Sequence, residues 1–440
     1  MWLNLGSAAA PAAVRRALAP NILRRTPCDP HCAKADREGE GGRAPPLPAG
    51  RAPINLSGVT LTDILSDEER RRREFPVARE KIFLAHAGVC PLPRRVADAI
   101  IDCAQKSTLG DQEAFMLKRL DDARRLGARL LNCQPDEIAL VGPTSLALSL
   151  VAAGLNFRRG ENILIYHDDY PSNVYPWMAL AERGAEVRLL NTRGLGIIRP
   201  RDVEGQIDEN TRLVALASCH FISGFRLEHA AIGKFLRERG ILFCVDAIQT
   251  LGAFPTTVEH VDFLAADAHK WLLGPCGAGL LYVRRELQEK LNPPVYGWHN
   301  VRNPDFVAQE QIVFRQGALK YEAGTQNLIG LVGLIAAMEL ALEMGVDNIA
   351  AELRRKREWL VSQLQAKGFI VLNATPKPEN AGGITSFFQP GRDLTALHKK
   401  LADAGITVSL RMDRKKQNYI RVSPHFYNTD AELKRLMELL

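Results

Sequence analysis

The sequence predicts an α/β fold: a mainly parallel, doubly wound sheet covered by helices on both faces, with a smaller α+β domain after it. Two observations carry this expectation. From about residue 80, short apolar runs of strand length alternate with helical stretches, which is the pattern of a parallel sheet buried on both faces. After Gly324 that alternation stops, and helices and short strands follow without βα regularity. A chain of 440 residues with 46% apolar and 24% charged residues can build such a core. No window approaches the length of uninterrupted apolar sequence that a transmembrane helix needs, so the expectation is a soluble protein.

The first 58 residues read as a tail. They hold eight of the 25 prolines and the patch "EGEGGRAPPLPAGRAP", with little apolar periodicity. Four arginines (Arg15, Arg16, Arg24, Arg25) precede the first acid, Asp29, as in an organelle transit peptide. The competing reading is that the natural protein starts near Val59, where "VTLTDILSDEE" opens a helix. "CDPHC" (Cys28, His31, Cys32) offers half a metal site with no second cluster to complete it, so no metal is expected.

The net charge of +7 hints at an anionic partner until it is divided along the chain. The tail carries eight Lys and Arg against four Asp and Glu, leaving +3 for the other 382 residues. A nucleic-acid groove is not indicated. The run "EERRRRE" (68–74) is expected to be a short polar helix with a solvated face. The eight cysteines are scattered, and Cys219, Cys244 and Cys276 sit in apolar settings. They read as reduced thiols of a cytoplasmic protein.

Residues 59–110 form an N-terminal segment expected to pack with the small domain. The large domain, 111–345, holds strands in "ENILIY" (161–166), "AEVRLL" (185–190), "TRLVALAS" (211–218), "ILFCVD" (241–246) and "GLLYV" (279–283). "YPWMALAERG" and "HAAIGKFLRERG" read as helices between them, the second ending on Gly240. "LVGLIAAMELALEMG" places Leu331, Leu334, Ile335, Met338 and Leu342 on one helical face and bridges out of the sheet. The small domain, 346–440, has a helix at 351–367, strands near 369–373, 383–389, 406–411 and 418–423, and a last helix with a Thr429–Glu432 capping box.

In open parallel sheets ligands sit beyond the carboxyl ends of the strands. Asp246, His269 with Lys270, Tyr170, and Thr144 with Ser145 all follow apolar runs. A lysine in a partly desolvated site becomes a nucleophilic amine able to form a Schiff base. That suits pyridoxal 5'-phosphate, whose protonated pyridine nitrogen needs an anion such as Asp246. "GPTSLALSLVAAGL" brings Gly142, Thr144 and Ser145 to a helix start, where amides, hydroxyls and dipole favour a phosphate.

"VDAIQT", then "DAHKWLLGPCGAGLLYV", "YEAGTQN" and "RVSPHFYNT", in that order, resemble the class V aminotransferase family of fold-type-I pyridoxal-phosphate enzymes. That family includes cysteine desulfurases, selenocysteine lyases, isopenicillin N epimerase and kynureninase. The resemblance runs from about residue 80 to the C-terminus. It implies that Lys270 is the Schiff-base lysine, Asp246 the pyridinium partner, and Gln249 the donor to the cofactor's phenolic oxygen. It implies that Tyr170 stacks on the ring, where desulfurases have histidine, and that Thr144 and His269 hold the phosphate. Thr325 matches a residue that reaches the phosphate of a neighbouring subunit, which implies a homodimer with composite sites. Arg421 matches the arginine that binds the substrate carboxylate.

One departure bears on the reaction. Desulfurases carry a nucleophilic cysteine shortly before this arginine, and here "GITVSLRMDRKKQNYIRVS" has none; no cysteine follows Cys276. The expected activity is therefore aminotransferase-like. A carbon–sulfur or carbon–selenium lyase, an epimerase, and a cofactor-binding regulator without turnover are the alternatives. The basic residues Arg411, Arg414, Lys415 and Lys416 read equally as a site for a second acidic group and as a solvated turn. "GWHNVRNPD" (297–305) is a candidate specificity loop, with His299 and Arg302 as candidate lining.

Overall fold

The computed structural model describes residues 60–303 and 306–440. The Cys28, His31, Cys32 grouping and the tail patterns lie outside the described residues. The chain opens with α1 (Leu61–Ser66), α2 (Glu68–Glu74) and α3 (Val77–Glu80). Thr60 caps α1 reciprocally with Asp63. The "EERRRRE" run is α2, but two of its residues are buried rather than solvated. Arg71 meets Glu432 at 2.9 Å and Glu74 meets Arg95 at 3.0 Å.

The N-terminal segment does not pack as one piece with the small domain. β1 (Ile82–Phe83) pairs in parallel with residues 406–407 there. Further on, α4 (Arg94–Lys106) and α5 (Gln112–Leu131) lie against the helix that follows the large sheet. α4 presents an apolar face, with Val96, Ala99 and Ile100 toward Ala336 and Ala337, and the large domain supplies the surface that buries it.

The large sheet has seven strands: β2 (Ile138–Val141), β3 (Asn162–Ile165), β4 (Glu186–Leu189), β5 (Thr211–Ala217), β6 (Leu242–Asp246), β7 (Phe263–Asp267) and β8 (Gly279–Val283). Their order is β2-β8-β7-β6-β5-β3-β4, with β3 to β7 parallel and β8 antiparallel to both of its neighbours. Phe243 and Val245 of β6 enter one core and Cys244 the other, which is why the strand reads as an unbroken apolar run. The intervening helices are α6 (Thr144–Gly154), α7 (Tyr175–Met178), α8 (Pro200–Glu204) and α9 (His229–Glu238). The expected helix over 175–184 is a single α-turn followed by a 3₁₀ stretch, Ala179–Arg183, that closes on Gly184 at φ 88°.

α10 (Leu328–Met344) leaves the sheet domain buried nearly all round, not on one face. It is clamped between the sheet core and α4 and α5. Its Gly333 is needed there, since a Cβ would meet Ile100 and Pro275 at 2.9 Å. Gly345, at φ 76°, turns the chain into α11 (Val346–Ala366).

The small domain then adds β9 (Ile370–Val371), β10 (Thr385–Phe388), α12 (Leu394–Asp403), β11 (Ile406–Thr407), β12 (Ser409–Met412), β13 (Asn418–Val422) and α13 (Asp430–Leu439). The strand expected at 406–411 is split: β11 pairs with β1, whereas β12 is the edge of a four-stranded antiparallel sheet ordered β12-β13-β10-β9. The Thr429–Glu432 capping box is present. Among the described residues no single helix is long and apolar enough to cross a membrane, and no cluster suits a metal ion.

Candidate active site

The carboxyl ends of β2, β3, β5, β6 and β7 open on one edge of the large sheet, and the polar side chains gather there. β6 ends on Asp246, buried at 3% exposure, whose Oδ1 accepts from Ile248 N–H at 3.0 Å. β7 ends on Asp267 and is followed by His269 and Lys270. Lys270 is 7% exposed, and burial pulls its amine down to about 8, against the opposing pull of Asp246. The same burial raises the Asp246 carboxyl. Burial thus makes the neutral, nucleophilic form of the lysine far more accessible than that of an exposed lysine.

Tyr170, in the turn after β3, lies with its ring centroid 5.2 Å from Lys270 Nζ. Asp169 fixes that turn: its carboxylate accepts from Tyr170 N–H at 2.8 Å, Asn173 Nδ2 at 3.1 Å and Ala217 N–H at 3.1 Å. Burial, and then the charge of Asp246, push the Asp169 carboxyl up to about 7. Phe221, after β5, packs edge-on to Tyr170 at 5.4 Å.

The phosphate end is built around Asp267. Thr144 Oγ1, at the start of α6, accepts from Asp267 N–H at 2.9 Å, and Asp267 Oδ2 stands 2.9 Å from His269 Nδ1. The same carboxylate takes the amides of Ala268 at 2.7 Å and Gly277 at 3.1 Å. One aspartate therefore holds the helix start, the histidine and the glycine turn together. α6 has Pro143 as its N-cap and no side-chain cap, so its first amides and the Ser145 hydroxyl stay available to an anion.

Gln249 is engaged at both ends and still has capacity. Its Oε1 accepts from Trp271 Nε1 at 2.8 Å and its Nε2 donates to the Ala87 carbonyl at 3.1 Å, leaving one N–H free. Arg421 enters from β13. It is 1% exposed, Nη1 donates to the Phe221 carbonyl at 2.8 Å, and its Nε has no acceptor among the described residues. No carboxylate there pairs with it, and burial, then the nearby Arg411, pull it down to about 9. A buried guanidinium left without an anion costs several kcal/mol, so the site is built to receive one.

These residues fit pyridoxal 5'-phosphate. Lys270 would supply the amine, Asp246 the anion for the ring nitrogen, Tyr170 a stacking face and Gln249 a donor to the ring hydroxyl. His269, Thr144 and Ser145 would take the phosphate, and the Arg421 guanidinium, with no carboxylate partner among the described residues, would be left for a carboxylate.

Two expected residues lie apart from this group. Thr325 is exposed and lines a cleft of about 340 Å³ with Gly142 and Gly277, beside the start of α6. His299 is buried against Glu322, Nδ1 lying 3.0 Å from its carbonyl oxygen, and it contacts neither Lys270 nor Arg421. The buried Glu322 carboxylate is already taken by Arg124 at 2.7 Å and Leu140 N–H at 2.8 Å, so the histidine serves that internal network.

Sequence reasoning missed Asp169, the Phe221 carbonyl and the "HAG" segment. Ala87 holds Gln249, and a Cβ on Gly88 would stand 3.8 Å from Arg421 Nη2. A glycine between two apolar elements was the available signal. The basic turn also divides: Arg414 donates to Asp168 and, at 2.8 Å, to the His167 carbonyl, tying the small domain to the turn that carries Tyr170.

The comparisons with known proteins point the same way. A probable cysteine desulfurase of Methanothermobacter thermautotrophicus is 30% identical over 84% of this chain and 96% of its own. The uncharacterized aminotransferase YcbU of Bacillus subtilis is 29% identical over the same shares. Among solved structures, the apo cysteine desulfurase of Thermococcus onnurineus superposes with a TM-score of 0.78 at 25% identity, covering 84% of this chain and 96% of that one. The profile described as "Aminotransferase class-V" matches residues 82–436, a span that includes the described cleft from β1 to α13, and the chain belongs to that family of enzymes.

Proposed function

We propose that this enzyme transforms an amino acid by holding its α-carboxylate on Arg421 and moving its α-proton with Lys270, in an aminotransferase-like reaction. The observation that carries the reading is the pairing of Lys270, its amine lowered to about 8, with a buried Arg421 that no carboxylate among the described residues pairs, and no thiolate beside them. The cysteine that Arg421 feels, Cys219, is buried and pushed up to about 12, so it is no thiolate at neutral pH. Pyridoxal 5'-phosphate supplies an aldehyde for amines to condense with and a protonated ring that withdraws electrons. Lys270 is the amine poised for that aldehyde, and once displaced by substrate it is the base beside the α-carbon. Arg421, by fixing the carboxylate, decides which bond at that carbon faces the ring.

Stoichiometric keto acid from an amino donor and acceptor pair is the expected product. Release of sulfide, selenide or alanine instead would move the assignment to the second reading, a carbon–sulfur or carbon–selenium lyase, which the desulfurase relatives favour. The same Lys270 and Arg421 serve that reaction, as they would an epimerisation.

We also propose a homodimer. Support comes from Thr325, exposed beside Gly142, and from Tyr296, Val307 and Ile312, apolar side chains more than half exposed in one stretch of chain.

A further inference from the structure

We propose that the preferred substrate carries a second anionic group on its side chain, and that Arg411 receives it. The inference rests on the reading of Arg421 as the grip on the α-carboxylate. It starts from the register of β12 and β13, in which Ser409 faces Arg421 and Arg411 faces Tyr419. Side chains alternate along a strand, so Ser409, Arg411, Tyr419 and Arg421 share one face of this sheet. Leu410 and Ile420 point the other way, into the small-domain core.

Arg411 and Arg421 are therefore diagonal neighbours on one surface, about 7–8 Å apart at the backbone, close enough for two long side chains to serve one small molecule. That surface faces the cleft. Arg421 reaches Phe221 across it, and the charges of Arg421 and Arg411 both bear on Lys270.

The partners of the basic residues separate the two readings of this turn. Arg414 is satisfied by Asp168 and His167. Lys415 and Lys416 are exposed. Arg411 is half-buried, and its hydrogen bond is to the adjacent Leu410 carbonyl at 2.9 Å. No carboxylate among the described residues pairs with it or with Arg421.

The acids nearby are committed elsewhere. Asp246 would answer the cofactor's ring nitrogen, Asp169 holds the Tyr170 turn, Asp168 holds Arg414, and Asp413 accepts from the Tyr419 hydroxyl at 2.9 Å. Two guanidiniums without a carboxylate partner among the described residues, Arg421 and Arg411, thus border one cleft. A monocarboxylate neutralises one guanidinium and leaves its like-charged neighbour facing it. An amino acid with a carboxylate or sulfinate one or two carbons along its side chain answers both, with planar bidentate geometry available at each.

The test is spectral titration of the holoenzyme with L-aspartate, L-glutamate and L-cysteine sulfinate against L-asparagine, L-glutamine and L-alanine. Acids are expected to bind at least about tenfold tighter than their amides, and Arg411→Gln to collapse that ratio, with Arg411→Lys retaining part of it. Equal affinity for aspartate and asparagine, or a ratio that Arg411→Gln leaves intact in a protein of unchanged circular dichroism, overturns this inference alone. A spectrum that responds to no amino acid overturns the functional reading as well.

Discussion

Arg421 Nη1 donates to the Phe221 carbonyl oxygen at 2.8 Å, so the guanidinium proposed to hold the substrate carboxylate is aimed by a loop of the other domain. Phe221 also packs against Tyr170, which links the carboxylate grip to the stacking face. Substrate selection and cofactor placement are coupled through this one loop.

Replacing Arg421 by lysine keeps the charge and removes the planar fork. The expected loss is about 3 kcal/mol, roughly a hundredfold in kcat/KM, carried mainly by KM. Steady-state kinetics across amino acids checks it; an unchanged KM would place the carboxylate elsewhere.

Lys270 sets a pH dependence for loading of the cofactor. Its amine is lowered from 10.5 to about 8 by burial, so the neutral form grows as pH rises, reaches half at about pH 8 and is largely complete by about pH 9. Reconstitution of the apoprotein with pyridoxal 5'-phosphate should therefore accelerate about fifteenfold between pH 6.5 and 8, nearly double again by about pH 9, and then level off. Stopped-flow absorbance reads this directly. A rate still climbing steeply beyond about pH 9 would mean an ordinary lysine.

Asp246→Asn removes the anion opposite the ring nitrogen while preserving shape. Turnover should fall by about a hundredfold or more with the cofactor still bound. Comparing kcat with cofactor content after gel filtration separates the two effects.

Arg71 and Arg72 are adjacent in one helix and should behave oppositely. Arg71→Ala strands the half of its partner Glu432 that faces the interior and should cost about 3–5 kcal/mol in chemical denaturation. Arg72 pairs with Glu68 at the surface, and its removal should cost under about 0.5 kcal/mol.

If the apolar stretch around Tyr296 meets a second copy, Tyr296→Asp should shift the protein toward monomer in sedimentation velocity. A monomeric unsubstituted protein would remove the proposal.

Much of the site was legible because buried strands announce themselves as runs of β-formers, and the chemistry sits where those runs end. Asp246 and Lys270 are found that way. What was illegible depended on partners distant in the chain. Arg71 reads as solvated until Glu432 is folded against it, and His299 reads as lining of a specificity loop until Glu322 is placed beside it. The contrast between Arg411 and Arg414 needs Asp168, which lies near the other end of the fold's connectivity. α10 reads as one-faced because its second surface is supplied by α4 and α5, whose own pattern does not say where they dock.

The polar face of β12 and β13 also bears on how such an enzyme can diverge. Lys270 and Asp246 stand on the parallel sheet, whereas Arg411 and Arg421 stand on a separate antiparallel one whose opposite side is an independent core. Substitutions on that polar face can change which molecule is accepted without disturbing the bond-breaking machinery, so new diets can be sampled on an unchanged engine.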